Sequence, residues 1–280
     1  MSVTETSLAP EVKAAFIGCG VMAEAIIAGL LREQMLSPDR IFASHPREER
    51  RRELAERYGI GVSADNREAA ALADDSFIFL CVKPQRLGRV LEDLKDSFTP
   101  SATVVSIVAG ATIHKIGESL SAKNVVRVMP NTPSQIGAGM CVWTASPEVT
   151  AERRDAVKTM LRALGKELYV ETENMIDMAT SLSATGPTFT FMVMEALTDA
   201  GVHLGFSREV AKELVQETML GSVKFAMESH KHPAELRNMV TSPGGTSAEA
   251  IYQMEKGGLR TVLSKAAYAA YRRAVELGKK

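Results

Sequence analysis

The sequence predicts a doubly wound, mostly parallel α/β domain followed by an all-α domain. Three observations carry that prediction. Short apolar runs alternate with charged helical stretches through residue 172, the way parallel strands and their crossover helices read. The strand signal stops after Glu173, where long helical segments take over. A glycine-rich turn directly follows the first apolar run, at a strand-to-helix junction.

Residues 1–10 (MSVTETSLAP) carry neither the basic start nor the apolar stretch of a secretory signal and read as a flexible tail. Val12–Gly18, Arg40–Ser44, Ser76–Val82, Thr103–Val108 and Asn124–Met129 have the continuous apolar character of strands buried on both faces. Arg47–Tyr58 is charged throughout, a solvent-facing helix. Met140–Trp143 and Lys166–Val170 add strands, with a helix from Thr150 to Leu164 between them. Residues 11–172 thus make the α/β domain and residues 173–280 the helical one. In the latter, Pro187–Leu204 is apolar almost throughout, as suits a helix buried in a core or an interface. Ala211, Val215, Met219, Val223 and Met227 form one helical stripe, and its methionines fit core packing. Further helices are predicted at Ala248–Glu255 and Leu259–Leu277, parted by Gly257-Gly258. So much apolar surface asks for more burial than one small domain supplies, and an intertwined homodimer would supply it.

With 33 lysines and arginines against 34 acids, the chain offers no general attraction to nucleic acid or anionic membrane. No apolar run approaches the roughly 20 residues that span a bilayer. Cys19, Cys81 and Cys141 are widely spaced, reading as small buried residues in a reducing compartment. A cytoplasmic location is therefore expected.

Gly18-Cys19-Gly20-Val21-Met22-Ala23 is G-x-G-x-x-A, the dinucleotide-binding fingerprint, and makes the first domain a Rossmann domain. Gly18 permits the tight turn, Gly20 admits a pyrophosphate closely, and Ala23 packs helix on sheet. The helix N-terminus then offers free N–H groups to phosphate. The second strand ends Ala43-Ser44-His45-Pro46-Arg47, with no acid at its tip to bond a ribose 2′-hydroxyl. Ser44 can donate to a 2′-phosphate, and Arg47 or Arg50 can pair with it. NADPH is the expected cofactor, with NADH as the second candidate. The Ser76–Val82 run leads into Lys83-Pro84-Gln85 at the ligand-binding edge of the sheet, where Lys83 meets either cofactor or water. Ala109-Gly110 and the rigid turn Met129-Pro130-Asn131-Thr132-Pro133 end the next two runs at the same edge.

Thr241-Ser242-Pro243-Gly244-Gly245-Thr246-Ser247 precedes a helix that Thr246 or Ser247 can cap. Its exposed N–H groups suit a carboxylate, although a capped helix after a glycine turn explains the same residues. His45, His114, His203, His230 and His232 fall in no metal-binding pattern, so no metal is predicted. No G-x-S-x-G elbow occurs either. Hydride addition to a protonated C=N bond needs none of these. The positive charge is already on nitrogen, and the protein supplies position plus one polar group.

Arg127–Pro133 (R-V-M-P-N-T-P), Val82–Pro84 (V-K-P) and above all Thr241–Ala250 (T-S-P-G-G-T-S-A-E-A) resemble the pyrroline-5-carboxylate reductase family. The resemblance runs from Phe16 to Gly278 and implies reduction of 1-pyrroline-5-carboxylate to L-proline. It also implies a C-terminal domain that forms a homodimer, with dimers assembling into rings. By motif, Gly18–Ala23, Ser44, Asn66, Val82, Lys83, Pro84 and Ala109 would hold NADPH. Ser242, Gly245, Thr246 and Ser247 would hold the substrate carboxylate, Glu173 would stand near the ligands, and the Ser247 hydroxyl would serve the imine nitrogen as the catalytic group. Three departures stand out: Ser183–Phe189 replaces the family's S-G-S-G-P-A-Y, Ser247 replaces a threonine, and Asn238 replaces a common Asp. A reductase of a related cyclic imine acid, or a non-catalytic NADP-binding relative with a regulatory role, are the competing readings.

Overall fold

The computed structural model describes residues 8–278. It opens β1 (Ala14–Ile17), α1 (Val21–Arg32), β2 (Ile41–Ser44), α2 (Glu48–Tyr58), β3 (Gly61–Ser63), α3 (Asn66–Ala73), β4 (Phe77–Leu80) and α4 (Pro84–Leu94). β5 (Thr103–Ser106), α5 (Ile113–Leu120) and β6 (Val125–Met129) follow, and then β7 (Gly139–Ala145), α6 (Ala151–Arg162) and β8 (Gly165–Tyr169). The strands form one sheet in the order β3-β2-β1-β4-β5-β6-β7-β8. All neighbours are parallel except β6 and β7. That reversal has a simple cause. Only a short 3₁₀ turn, Thr132–Ile136, joins those two strands, and a parallel crossover needs about a dozen residues or more.

Every residue of β1, β4, β5 and β6 is buried, because helices cover both faces of the sheet. On one face Phe16 stacks on Phe79 with ring centroids 4.7 Å apart, beneath Ile26 and Leu30 of α1. On the other, Ile17, Ile78 and Leu80 meet Leu87, Leu91 and Leu94 of α4. The predicted strands are all present; β3 is additional. The tail expectation needs correction for residues 8–10, the rest lying outside the described residues. Leu8 is buried in the core, and Arg40 Nη1 donates to the carbonyls of Ala9 (2.9 Å) and Pro10 (3.0 Å).

The chain divides into two compact units, one running through Thr185 and including the end of the last helix from Ala270, the other Gly186–Ala269. These compact units part after Thr185, whereas the domain boundary expected from the sequence is at residue 173. α7 (Asn174–Ala179) and the π-helical turn Thr180–Ala184 belong to the first unit. Ile176 is buried with Met129, Val142 and Val170. Arg127 of β6, 1% exposed, binds Glu173 Oε1 through Nη1 (3.0 Å) and Asp177 Oδ1 through Nη2 (2.6 Å). Glu173 Oε1 also accepts the Ile113 N–H at the head of α5 (2.8 Å). One buried cation thus braces β6, α5 and α7 together.

The second unit holds α8 (Gly186–His203), α9 (Arg208–Ser229), α10 (Pro233–Met239), α11 (Thr246–Lys256) and the first part of α12 (Leu259–Gly278). α10 escaped the sequence reading. Ala211 is the one buried residue between Gly186 and Ala269. The burial expected of Pro187–Leu204 and of the α9 stripe is therefore not met within one chain: Phe191 is 56% exposed, Met192 64% and Met227 66%. Among the described residues no helix is long and apolar enough to cross a membrane.

Replacing Arg127 by Met leaves two carboxylates without their counter-charge. Urea unfolding of the Arg127→Met variant should show a loss of about 3–5 kcal/mol, the usual cost of removing one partner from a buried pair. A loss below about 0.5 kcal/mol, ordinary for a surface change, would show that the triad bears no load.

Candidate active site

At the end of β1 the chain turns sharply through Gly18 at φ +84. A side chain is excluded there twice over, by the left-handed backbone and by Val82, which a Cβ would strike. The turn is pinned from β2: Gly18 N–H donates to Ser44 Oγ (3.3 Å), and Cys19 N–H donates to Ser44 O (2.9 Å). Gly20, the N-cap of α1, supplies no side-chain cap. The N–H groups of Val21, Met22 and Ala23 consequently have no acceptor among the described residues. Gly20 has an ordinary φ of −83, and a Cβ on it would meet nothing within 4 Å. Neither backbone strain nor internal packing requires glycine at this position. The open space beside it admits a close-lying group, and a pyrophosphate at the positive end of α1 would fit there.

The loop opens onto a cleft of about 550 Å³. Of the residues expected to hold the cofactor, Gly18, Gly20, Asn66, Val82 and Lys83 line it together. Ala23 is buried against the sheet, as packing of α1 requires. Cys19 contributes backbone only, since its thiol is fully buried and burial pushes its pKa up to about 12. Val21 is exposed, Met22 is half-buried, and Pro84 opens α4 as its first residue. Ala109 packs beside the Met129, Val142 and Ile176 cluster.

The 2′-phosphate roles expected at the tip of β2 need correction. Ser44 is fully buried, and its hydroxyl donates to Asn66 Oδ1 (2.7 Å) while accepting from Gly18. It organises the loop from beneath. Arg50 is committed to Glu24 and Glu53, and its Nε donates to the Cys19 carbonyl (3.4 Å). Arg47 is exposed and outside the cleft lining.

Sequence reasoning missed His45, Pro46, Arg86 and Arg89 on the cleft walls. His45 Nδ1 accepts the Arg47 N–H (3.2 Å), which leaves its proton on Nε2. Burial, with Arg47 beside it, holds this imidazole below its usual range. The signal for the arginines was their i, i+3 spacing immediately after the Lys83-Pro84 pair.

In the second unit, Ser242-Pro243-Gly244-Gly245 forms a turn closed by the Gly245 N–H donating to Ser242 O (3.0 Å), with Gly244 at φ +67. This is the geometry that places proline second and glycine third. Gly245, not Thr246 or Ser247, is the N-cap of α11, and no side chain caps the helix. The capping expectation is therefore wrong for both hydroxyls. Among the described residues, the N–H groups of Thr246 and Ser247 find no acceptor, and the hydroxyls of Ser242, Thr246 and Ser247 make no hydrogen bond. These donors share one turn and the first residues of α11, a set that suits an anion.

Glu173 has the bracing position already described, which gives it a structural task beyond the ligand contact expected of it. Asn131 likewise ties its turn down, accepting from Met140 N–H (2.9 Å) and donating to Ser183 O (3.4 Å).

Comparison with known proteins matches the two parts of the chain to two family models. Residues 173–277 match the family model described as pyrroline-5-carboxylate reductase dimerisation, and residues 13–110 the one described as NADP oxidoreductase, coenzyme F420-dependent. The pyrroline-5-carboxylate reductase of Corynebacterium melassecola is 42% identical over 269 residues, covering 95% of this chain and 98% of that protein. That of Synechocystis is 39% identical over 264 residues, covering 94% and 97%. The crystal structure of Plasmodium falciparum pyrroline carboxylate reductase with NADP bound superposes with a TM-score of 0.87 at 29% identity, covering 95% of this chain and 98% of that one. The chain belongs to the pyrroline-5-carboxylate reductase family.

Proposed function

We propose that this protein reduces 1-pyrroline-5-carboxylate to L-proline, the last step of proline biosynthesis, using NADPH. The observation that carries the substrate half is the Ser242–Ser247 turn, whose unpaired amides and hydroxyls await an anion at the head of α11. NADPH, held along Gly18–Ala23 and the cleft beyond, supplies the hydride for the C=N carbon. The chain's residues do the rest. Ser242, Thr246 and the amides of Thr246 and Ser247 hold the carboxylate and so fix the ring. The Ser247 hydroxyl serves the nitrogen, which needs one hydrogen-bond partner as its positive charge is discharged. Serine keeps the function of the threonine usual in the family.

The assembly follows from burial. A homodimer built through the second unit gives Phe191, Met192, Val223 and Met227 the cover that one chain lacks. Each such side chain is worth about 1.5–3 kcal/mol when buried. Higher assembly into a ring, as the family resemblance implies, is the next level of this reading. Unpaired Cys19, Cys81 and Cys141 suit the cytoplasm.

Two measurements test these proposals. Ser247→Ala should lower kcat/KM for the imine acid by about tenfold to a hundredfold, the worth of one hydrogen bond to a charged group. Because Ser247 caps nothing, stability should stay within about 0.5 kcal/mol; intact turnover with a lowered melting temperature would make its role structural. Light scattering should find a dimer or larger, and a stable folded species near the chain mass of 30.3 kDa would exclude the proposed interface.

A further inference from the structure

We infer that Arg86 and Arg89 of α4 select the 2′-phosphorylated cofactor, from the wall of the cleft opposite the tip of β2. The inference rests on the reading of this cleft as the NADPH site. An anionic group beyond the ribose needs a charged partner, and the cations of the β2 side are paired or, like the exposed Arg47, outside the cleft lining. Ser44 is buried in the Gly18–Asn66 network, and Arg50 is paired with Glu24 and Glu53. Arg51 Nη1 donates to the carbonyls of His45 (2.8 Å) and Pro46 (3.0 Å). What that wall retains is a neutral donor, the His45 Nε2–H.

Across the cleft the position is reversed. Lys83, Arg86 and Arg89 line it, all exposed, and none has a hydrogen-bonded or ion-paired side chain among the described residues. Asp93 is the one carboxylate on the lining. Arg86 and Arg89 share a helix face at i, i+3, where like charges repel without an intervening anion. Leu87, Leu91 and Leu94 bury another face of α4, and Val90 lies between that face and the cleft, so packing leaves the two arginines on the exposed side that lines it. A guanidinium pair of this kind matches phosphate oxygens better than lysine does. The glycine loop lines the same cleft, which places the cofactor's phosphates beside these residues.

The test compares the R86Q/R89Q variant with the unmodified enzyme at fixed, low ionic strength. The readouts are kcat/KM with NADPH and with NADH, and calorimetric binding of adenosine 2′,5′-bisphosphate and of 5′-AMP. The variant should lose about tenfold to a hundredfold with NADPH, chiefly in KM, and with the bisphosphate. NADH and 5′-AMP, which lack the 2′-phosphate, should lose at least about fivefold less, their share being the long-range effect of removing two charges at low ionic strength. R86K/R89K should recover part of the loss. Equal losses with both nucleotides would overturn the inference by assigning the arginines to the pyrophosphate or adenine. So would retained selectivity, or a selectivity loss that appears in Arg47→Gln instead. If the unmodified enzyme turned over the imine with neither nucleotide, the parent reading would fail and the inference with it. If it used NADPH and only the variant behaved unexpectedly, the inference alone would fall.

Discussion

Where β1 meets α1, the chain has to leave the sheet between two parallel neighbours and start a helix within three residues. Gly18 makes this possible by taking a left-handed backbone in contact with Val82, while Ser44 beneath it fixes the amides of Gly18 and Cys19. The other features of the cofactor end follow from that turn. It leaves α1 uncapped, aims the first free N–H groups of the helix outward, and sets Gly20 facing open space. It also joins β1, β2 and β4, whose carboxyl ends supply the cleft walls. A single methyl group at Gly18 would therefore disturb strand pairing and phosphate recognition together.

The second unit obeys a different constraint. Its helices are made of apolar residues, yet only Ala211 is buried, so its sequence is written for surfaces that a single chain does not contain. The turn that offers donors to an anion stands at the head of α11 within this same unit. In the function proposed here, assembly and substrate recognition would depend on one set of helices, and cofactor recognition on a sheet whose core is complete in one chain.

Much of this was legible in the sequence. Continuous apolar runs located five strands, because burial on both faces removes polar residues from them, and two shorter segments pointed to β7 and β8. β3 left no such trace: Gly61-Val62-Ser63 pairs only with β2 at the edge of the sheet. The short α10 was hidden by Pro233 and by its seven residues. The glycine loop was legible because its residues are adjacent in the chain. The cleft walls were not, since whether Ser44 faces a ligand or the interior depends on the strand's register, and whether Arg86 and Arg89 face the cleft depends on how α4 packs. Likewise, the buried Arg127 triad joins residues 46 and 50 positions apart, which no local pattern can announce.

The central claim is that hydride passes to the ring carbon of a five-membered imine acid whose carboxylate is held away from the reacting bond. It is tested most directly by turning over 1-pyrroline-5-carboxylate with NADPH carrying deuterium at both positions of its hydride-donating carbon and examining the product by NMR. The account predicts L-proline with one deuterium on the ring carbon that is bonded to nitrogen and remote from the carboxylate. Unlabelled product, label on the carbon bearing the carboxylate, or an unconsumed imine would contradict it.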